Sequence, residues 1–346
     1  MTVILDNGET LDALPNDAAT AAHVVRIEVN ADLRGYAHPL PALRRIDGWA
    51  ILRDYAHALP DGLSVGGSLY MRGCTGLTAL PDGLSVGGGL WLTSCAGLTA
   101  LPAGLTVRGN LDLTRCTGLT VLPAGLSVGG SLYLTDCAAL TALPAGLTIG
   151  GRLSLTDCPA LTALPEGLTV GGDLDLTDCP ALTALPAALT VGGRLDLTGC
   201  TGLTALPAGL SVGGDLDLRG CTGLTVLPAG LSVAGGLWLT SCAALTALPV
   251  GLTVGGDLWL TDCPALTALP TDLTVGGRLD LRGCTGLDHL CVGTDARGYR
   301  FYPVPMRDGV HVVAGCRNFS AAQARAHWAE GTECRALAEA CLRGEQ

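Results

Sequence analysis

Between residues 168 and 176 the chain reads Leu-Thr-Val-Gly-Gly-Asp-Leu-Asp-Leu, with apolar and polar positions alternating on each side of the glycine pair. Alternation with a period of two puts every second side chain on one face of a short strand. Leu168-Thr169-Val170 and Leu174-Asp175-Leu176 are therefore expected to be strands with one buried face. A helix is disfavoured, because Pro and Gly-Gly recur at short intervals and each Gly inside a helix costs about 1 kcal/mol relative to Ala. Gly171 and Gly172 are expected to supply a bend that residues with side chains would resist. Pro186 cannot donate to a ladder and is expected at a corner.

This pattern is repeated. Cysteines fall at 74, 95, 116, 137, 158, 179, 200, 221, 242, 263 and 284, always 21 residues apart, and prolines from 60 to 270 keep the same step. One period reads L-P-x-G-L-[ST]-V-G-G-x-L-x-L-x-x-C-x-x-L-T-x. A fixed period of this length is the mark of a solenoid, in which no unit buries its apolar face alone. Stacked coils place Leu174 over Leu153 and under Leu195, about 4.8 Å apart. In this coil the inward set is Leu168, Val170, Leu174, Leu176, Cys179, Leu182 and Leu185.

The stretch "LDLTDCPALTALP" (174–186) resembles the L-x-L-x-x-N/C-x-x-L core of leucine-rich repeats in their cysteine-containing form. Its Leu-Pro ending is similar to the short bacterial repeats of secreted effectors, and the resemblance covers about residues 55–290. It departs from that family at Gly171, where the family has Leu, and "GLTVGG" is additional, which leaves one or two strands per coil open. The expected fold is therefore a β-rich solenoid of about eleven coils, either leucine-rich-repeat-like and open or a closed parallel β-solenoid.

The ends differ from the repeats. Residues 1–58 are read as an N-terminal cap: "VVRIEV" (24–29) alternates as a strand and "ALRRIDGWAIL" (42–52) looks like a degraded coil. Residues 59–290 form the repeat region. Residues 291–346 are read as a C-terminal cap, with two strands around Arg307-Asp308-Gly309, a helix opened by a Ser320/Gln323 capping box, and a last helix at about 333–343. Terminal units of this kind hide the apolar ends of a solenoid. The segment "DGVHVVAGCRNFSAAQARAHW" resembles a tail of uncharacterised repeat proteins of bacteria and their phages.

Charge narrows the function. The net charge is −11, and all 20 basic residues are Arg. Residues 61–287 hold 16 acids and 8 arginines, a net −8. Nucleic-acid binding needs a basic footprint, so none is expected, and the partner expected is a neutral or basic protein. Mean hydropathy is +0.43, yet no apolar run approaches the roughly 20 residues of a membrane helix. The start "MTVILDNGET" lacks a signal-peptide pattern. The expectation is a cytoplasmic protein without membrane association, or one exported without a Sec signal.

Candidate chemistry is sparse. One Cys per 21 residues gives a line of thiols rather than a converging zinc site, so a ladder of small buried thiols is expected. Asp173, Asp175 and Asp178 follow a Gly-Gly pair, but glycine-rich calcium repeats have a nine-residue period, and these aspartates are expected to be solvated. Arg152, Asp173, Arg194 and Asp215 alternate in sign at one repeat position and are expected to form a cross-strand charge ladder. Cys316 and His327 pair a thiol with a base, but no orienting third group or oxyanion motif accompanies them. No catalytic residue, metal ligand or cofactor is assigned, and the protein is not expected to be an enzyme. Effectors with similar repeats carry ubiquitin-ligase domains of several hundred residues, far longer than this tail.

One column varies where its neighbours do not. The outward residue at the middle of each L-x-L strand is Tyr70, Trp91, Asp112, Tyr133, Ser154, Asp175, Asp196, Asp217, Trp238, Trp259 and Asp280. Every aromatic residue between 61 and 287 is in it. Aromatic residues are enriched at interface hot spots, so all of these but Ser154 are the candidate partner-binding residues. The expected function is a non-enzymatic protein-binding scaffold. The alternative is a self-associating structural protein of phage or secreted-effector origin, in which open strand edges pair and homo-oligomers form.

Overall fold

The computed structural model describes residues 2–55 and 57–344. It is a parallel β-solenoid of about twelve coils, with a small helical part at its C-terminal end. The chain divides into two compact units, Met1–Cys179 and Pro180–Gln346.

In the first unit each coil contributes two strands of two residues, as in Thr169–Val170 and Leu174–Asp175. The first strands pair in parallel from Arg45–Ile46 onward, and the second from Ala31–Asp32 onward, always with the equivalent residue of the next coil. A third line of pairing, Val121 with Ala142 and Ala142 with Ala163, runs down the coils after the cysteine turn. The coil series thus begins inside the segment read as an N-terminal cap. Leu33, Leu52 and Met71 are buried equivalents spaced by 19 residues, and Tyr55 fills the place that Cys74 takes one coil later. Ahead of them, Val3–Leu5 pairs antiparallel with Val24–Ile27 and with Thr10–Leu11, so the sheet ends in a differently oriented strand.

The core follows the repeat. All seven inward positions of the coil from Leu168 to Leu185 are buried, none more than 7% exposed. Turns follow local chemistry. The residue before each cysteine adopts a left-handed backbone, with φ 59° at Asp136, 57° at Asp157 and 56° at Asp178. Asp tolerates this region better than most residues with a side chain.

The glycine pairs lie in the bend expected of them, between the two strands of the coil. Neither Gly171 nor Gly172 has a left-handed backbone; instead, successive coils approach closely there. A Cβ on Gly171 would lie 2.4 Å from the Gly150 carbonyl oxygen, and one on Gly172 would lie 2.9 Å from the Gly151 carbonyl carbon and 3.2 Å from the Arg152 nitrogen. The second glycine of the pair is Gly in every coil from Gly48 to Gly277, whereas Asp47, Arg108 and Ala234 replace the first.

The second unit repeats the pattern from Thr190–Val191 and Leu195–Asp196 to Thr274–Val275 and Leu279–Asp280. Its last coil runs into a short 3-10 turn, Thr285–Leu290, and then the cap. Strands Arg300–Met306 and Gly309–Ala314 form a hairpin with Arg307 and Asp308 at its tip, flanked by Gly293–Thr294 and Arg317–Phe319. Helix Ala321–His327 is opened by Ser320 and Gln323, each side chain accepting from the other's backbone N–H, and helix Glu333–Arg343 follows. Phe301, Val312, Ala324, Ala338 and Cys341 form the core of this cap. Met306 bridges to Leu273 and the Arg307 N–H donates to the Leu273 carbonyl, which ties the hairpin to the coils.

Candidate functional site

The candidate residues all occupy the second position of the second strand in their coils. In the first unit Tyr70, Trp91, Asp112 and Tyr133 stand in register, and Asp175 pairs beside Ser154. In the second unit Asp196, Asp217, Trp238, Trp259 and Asp280 do the same. They form one column in each unit, but they do not form one kind of surface.

Several of the aromatic members lie over their neighbours. The Tyr70 and Trp91 rings are stacked, with centroids 4.5 Å apart and planes 10° from parallel. Tyr70 is 38% exposed, while Trp91, Tyr133, Trp238 and Trp259 are half-buried. The Trp91 indole covers Gly89, where an added Cβ would lie 2.3 Å from the ring, and Trp238 covers Gly236 in the same way at 2.7 Å. The Arg194 guanidinium lies 5.9 Å from the centroid of the Trp238 ring.

The acidic members are tied into the fold by hydrogen bonds within the chain. Asp217 and Asp280 are buried, and Asp112, Asp175 and Asp196 are half-buried. Each carboxylate accepts the backbone N–H two residues on, at 2.8 Å for Asp112 and Thr114, 3.1 Å for Asp175 and Thr177, 3.0 Å for Asp196 and Thr198, 3.2 Å for Asp217 and Arg219, and 3.0 Å for Asp280 and Arg282. This side-chain turn closes the strand end. Arginines then neutralise the charge: Arg152 on Asp175, Arg194 on Asp196 and Asp217, Arg219 on Asp217, and Arg282 on Asp280. Burial alone would raise the Asp217 carboxyl, but the hydrogen bonds of Arg219 and the charges of Arg219 and Arg194 more than offset it and hold the group below the usual carboxylate range. Asp175 is lowered against burial by Thr177 and by the Arg152 charge.

The expected charge ladder is accordingly rearranged. Arg152 and Arg194 reach diagonally into the central column. Asp215 and Asp257 accept the backbone N–H of Gly236 and Arg278 on the next coil, at 2.8 and 2.7 Å, and Asn110 accepts that of Ser131 at 2.8 Å. These links escaped the sequence reading. Their signal is the recurrence of Ser, Asn or Asp directly after Gly-Gly.

The repeat cysteines form the buried thiol ladder. Each of the thiols from Cys95 to Cys179 donates to the carbonyl of the strand residue 24 positions earlier, as Cys116 does to Leu92 at 3.2 Å and Cys137 to Leu113 at 3.3 Å. Burial pushes the Cys116, Cys158 and Cys242 thiols up to about 12. Among the described residues, no three His, Cys, Asp or Glu side chains converge on a metal-sized site. Asp157 is raised, first by burial and then by Asp136, Asp178 and Asp175.

In the cap, Cys316 and His327 line the same cavity of about 360 Å³, with Arg297, Arg317, Phe319 and Trp328. His327 is exposed and stacks on Phe319 at 4.8 Å. A second groove, in the first unit, is lined by Tyr70, Trp91 and a set of arginines. Among the described residues, no helix is long and apolar enough to cross a membrane. Comparison with protein-family models, with curated proteins and with solved structures finds no match to this chain.

Proposed function

We propose that the protein is a non-enzymatic scaffold that binds another protein along the L-x-L sheet, through the aromatic members of the central column. The observation that carries this reading is their confinement: Tyr70, Trp91, Tyr133, Trp238 and Trp259 are all the aromatic residues between 61 and 287, and each holds the second position of the second strand of its coil. A structural need for aromatic bulk would have used the core, which is filled by Leu, Val and Cys instead. Large half-exposed rings held on a rigid sheet lose little entropy on contact and supply the anchors from which interfaces draw most of their energy. The aspartates of the column act in the fold, so the anchors are aromatic rather than acidic.

Affinity capture with the full chain, followed by the double variants Tyr70→Ser with Trp91→Ser and Trp238→Ser with Trp259→Ser, tests this reading. Loss of the captured partner with an unchanged melting temperature is expected, and retention by both variants overturns it. Light scattering across a dilution series separates the alternative. A monomer near 35.0 kDa throughout leaves the face free for a different protein, whereas concentration-dependent growth favours self-association.

A further inference from the structure

The residue that follows Leu33, Leu52 and Met71, the second inward position of the L-x-L stretch, is Arg on three successive coils, Arg34, Arg53 and Arg72, and then becomes Thr at Thr93 and Thr114. Elsewhere an arginine in this setting is held by an aspartate two residues earlier. Arg34 is held by Asp32 with Nη2–Oδ2 2.5 Å, Arg219 by Asp217 at 2.7 Å, Arg282 by Asp280 at 2.5 Å, and Arg297 in the cap by Asp295 at 2.8 Å. Arg53 and Arg72 break the rule. The residues two before them are Ile51 and Tyr70, and among the described residues neither guanidinium has an ion-pair partner. Ile51 and Tyr70 pair in register, so the two arginines leave neighbouring coils about 4.8 Å apart. Like charges so placed repel.

The two arginines border a groove of about 350 Å³, lined also by Arg34, Ile51, Thr93 and the stacked pair Tyr70–Trp91. Its size is at the lower end for ligand sites. We propose that this groove docks an acidic peptide segment of a protein partner, with one carboxylate set between Arg53 and Arg72 and an adjoining apolar or aromatic side chain laid on the Tyr70–Trp91 stack. The proposal rests on the protein-binding reading above and adds the chemistry of the partner at this end of the face.

Charge decides the occupant. The unpaired basic track spans only two coils, because Thr93 follows it and donates its hydroxyl to Asp112 at 3.1 Å. A nucleic-acid backbone carries an unbroken row of phosphates and would run on into a repeat region of net charge −8, the balance of 16 acids and 8 arginines in 61–287. A single carboxylate needs only the two guanidiniums, whose planar forks donate paired hydrogen bonds to its oxygens. The aromatic floor beside them suits the flat or apolar neighbour.

The test uses the full chain and fluorescence anisotropy of a dye-labelled synthetic peptide alternating Glu and Phe. A Lys-and-Phe peptide and a thymidine oligonucleotide serve as comparators. The wild type is expected to bind the Glu-and-Phe peptide, less tightly as salt rises, and to prefer it to both comparators. Arg53→Gln with Arg72→Gln should weaken that binding by about tenfold or more, while Arg108→Gln leaves it unchanged. Both arginines are exposed, so circular dichroism and melting of the variant should match the wild type. Absence of peptide binding by the wild type, equal binding by the double variant, or preferential binding of the oligonucleotide each overturns the proposal. Peptide binding that depends on Trp238 and Trp259 but not on Arg53 and Arg72 also overturns it and leaves the protein-binding reading standing.

Discussion

Arg219 closes on Asp217, two residues before it in the same coil, with Nε 2.9 and 3.0 Å from the two carboxylate oxygens and Nη2 2.7 Å from one of them. The carboxylate is 1% exposed while the guanidinium is about half exposed, 49%. The pair therefore has a buried anion and a wet cation. Removing one member of a fully buried pair costs about 3–5 kcal/mol, because the other charge is stranded. Here Arg194 still reaches Asp217, so Arg219→Leu is expected to cost less, on the order of 2 kcal/mol. Arg115→Leu, whose partner Asp136 is 40% exposed, should cost well under 1 kcal/mol by the same argument. Urea unfolding of the two variants checks the contrast, and equal losses would count against it.

Acid should unfold the protein through these carboxylates. Asp175 and Asp217 are held below the usual carboxylate value of 3.8 in the folded chain. A depressed value means that the folded state favours the charged form. The stability this gives is present above the unfolded value and is lost as pH falls through 3.8 toward the lower folded values. Asp157 acts in the opposite sense, since its raised value makes its protonation stabilising over the range just above 3.8. The melting temperature is expected to be flat from neutral pH to about pH 5 and to fall below pH 4. Asp217→Asn should lower the plateau and flatten the acid limb; an unchanged slope would remove Asp217 from the account.

The thiols should divide into two classes. Cys291, Cys316 and Cys334 are partly exposed, while the eleven repeat cysteines and Cys341 are buried. Burial raises the Cys116, Cys158, Cys242 and Cys341 thiols to about 12, so almost none is thiolate at pH 8. A disulfide reagent at pH 8 is expected to modify Cys291 and Cys316 first. Cys334 should follow, since its thiol is raised by burial and by its hydrogen bond to Asp295. The others should react only on unfolding. Mass spectrometry of modified peptides reads the order directly, and early labelling of any repeat cysteine would show that the coils open.

The coil was legible in the sequence because a fixed step superimposes one residue type on the next, and Leu174 or Cys179 has nowhere to go but inward. The first coils were less so. Leu33, Leu52 and Met71 keep a shorter step of 19, and the first two of these coils have Tyr36 and Tyr55 where the third has Cys74. The central column was legible as a column but not as a surface. Sequence places Asp217 and Trp238 at equivalent outward positions. What separates them is their surroundings: Arg219 two residues on and Arg194 on the preceding coil draw the carboxylate in, while Gly236 lets the indole lie over it. Such effects act between coils and two residues along the strand. A pattern that averages over repeats hides them.

The glycine pair gives the sharpest test of coil stacking. At Gly171 an added Cβ would lie 2.4 Å from the Gly150 carbonyl oxygen and 3.2 Å from its carbon, yet other coils carry Asp47, Arg108 or Ala234 at this position, so the stack adjusts to a side chain there. At Gly172 the Cβ would meet the carbon and oxygen of the Gly151 carbonyl and the nitrogen of Arg152 together, at 2.9, 3.0 and 3.2 Å. The whole peptide of the previous coil would have to move, which strains the parallel pairing on both sides. Gly172→Ala is therefore expected to cost about 1–3 kcal/mol, the range for overpacking, and Gly171→Ala distinctly less. Equilibrium unfolding of both variants decides the matter. If Gly171→Ala is the more damaging, the second glycine is not what sets the spacing of the coils.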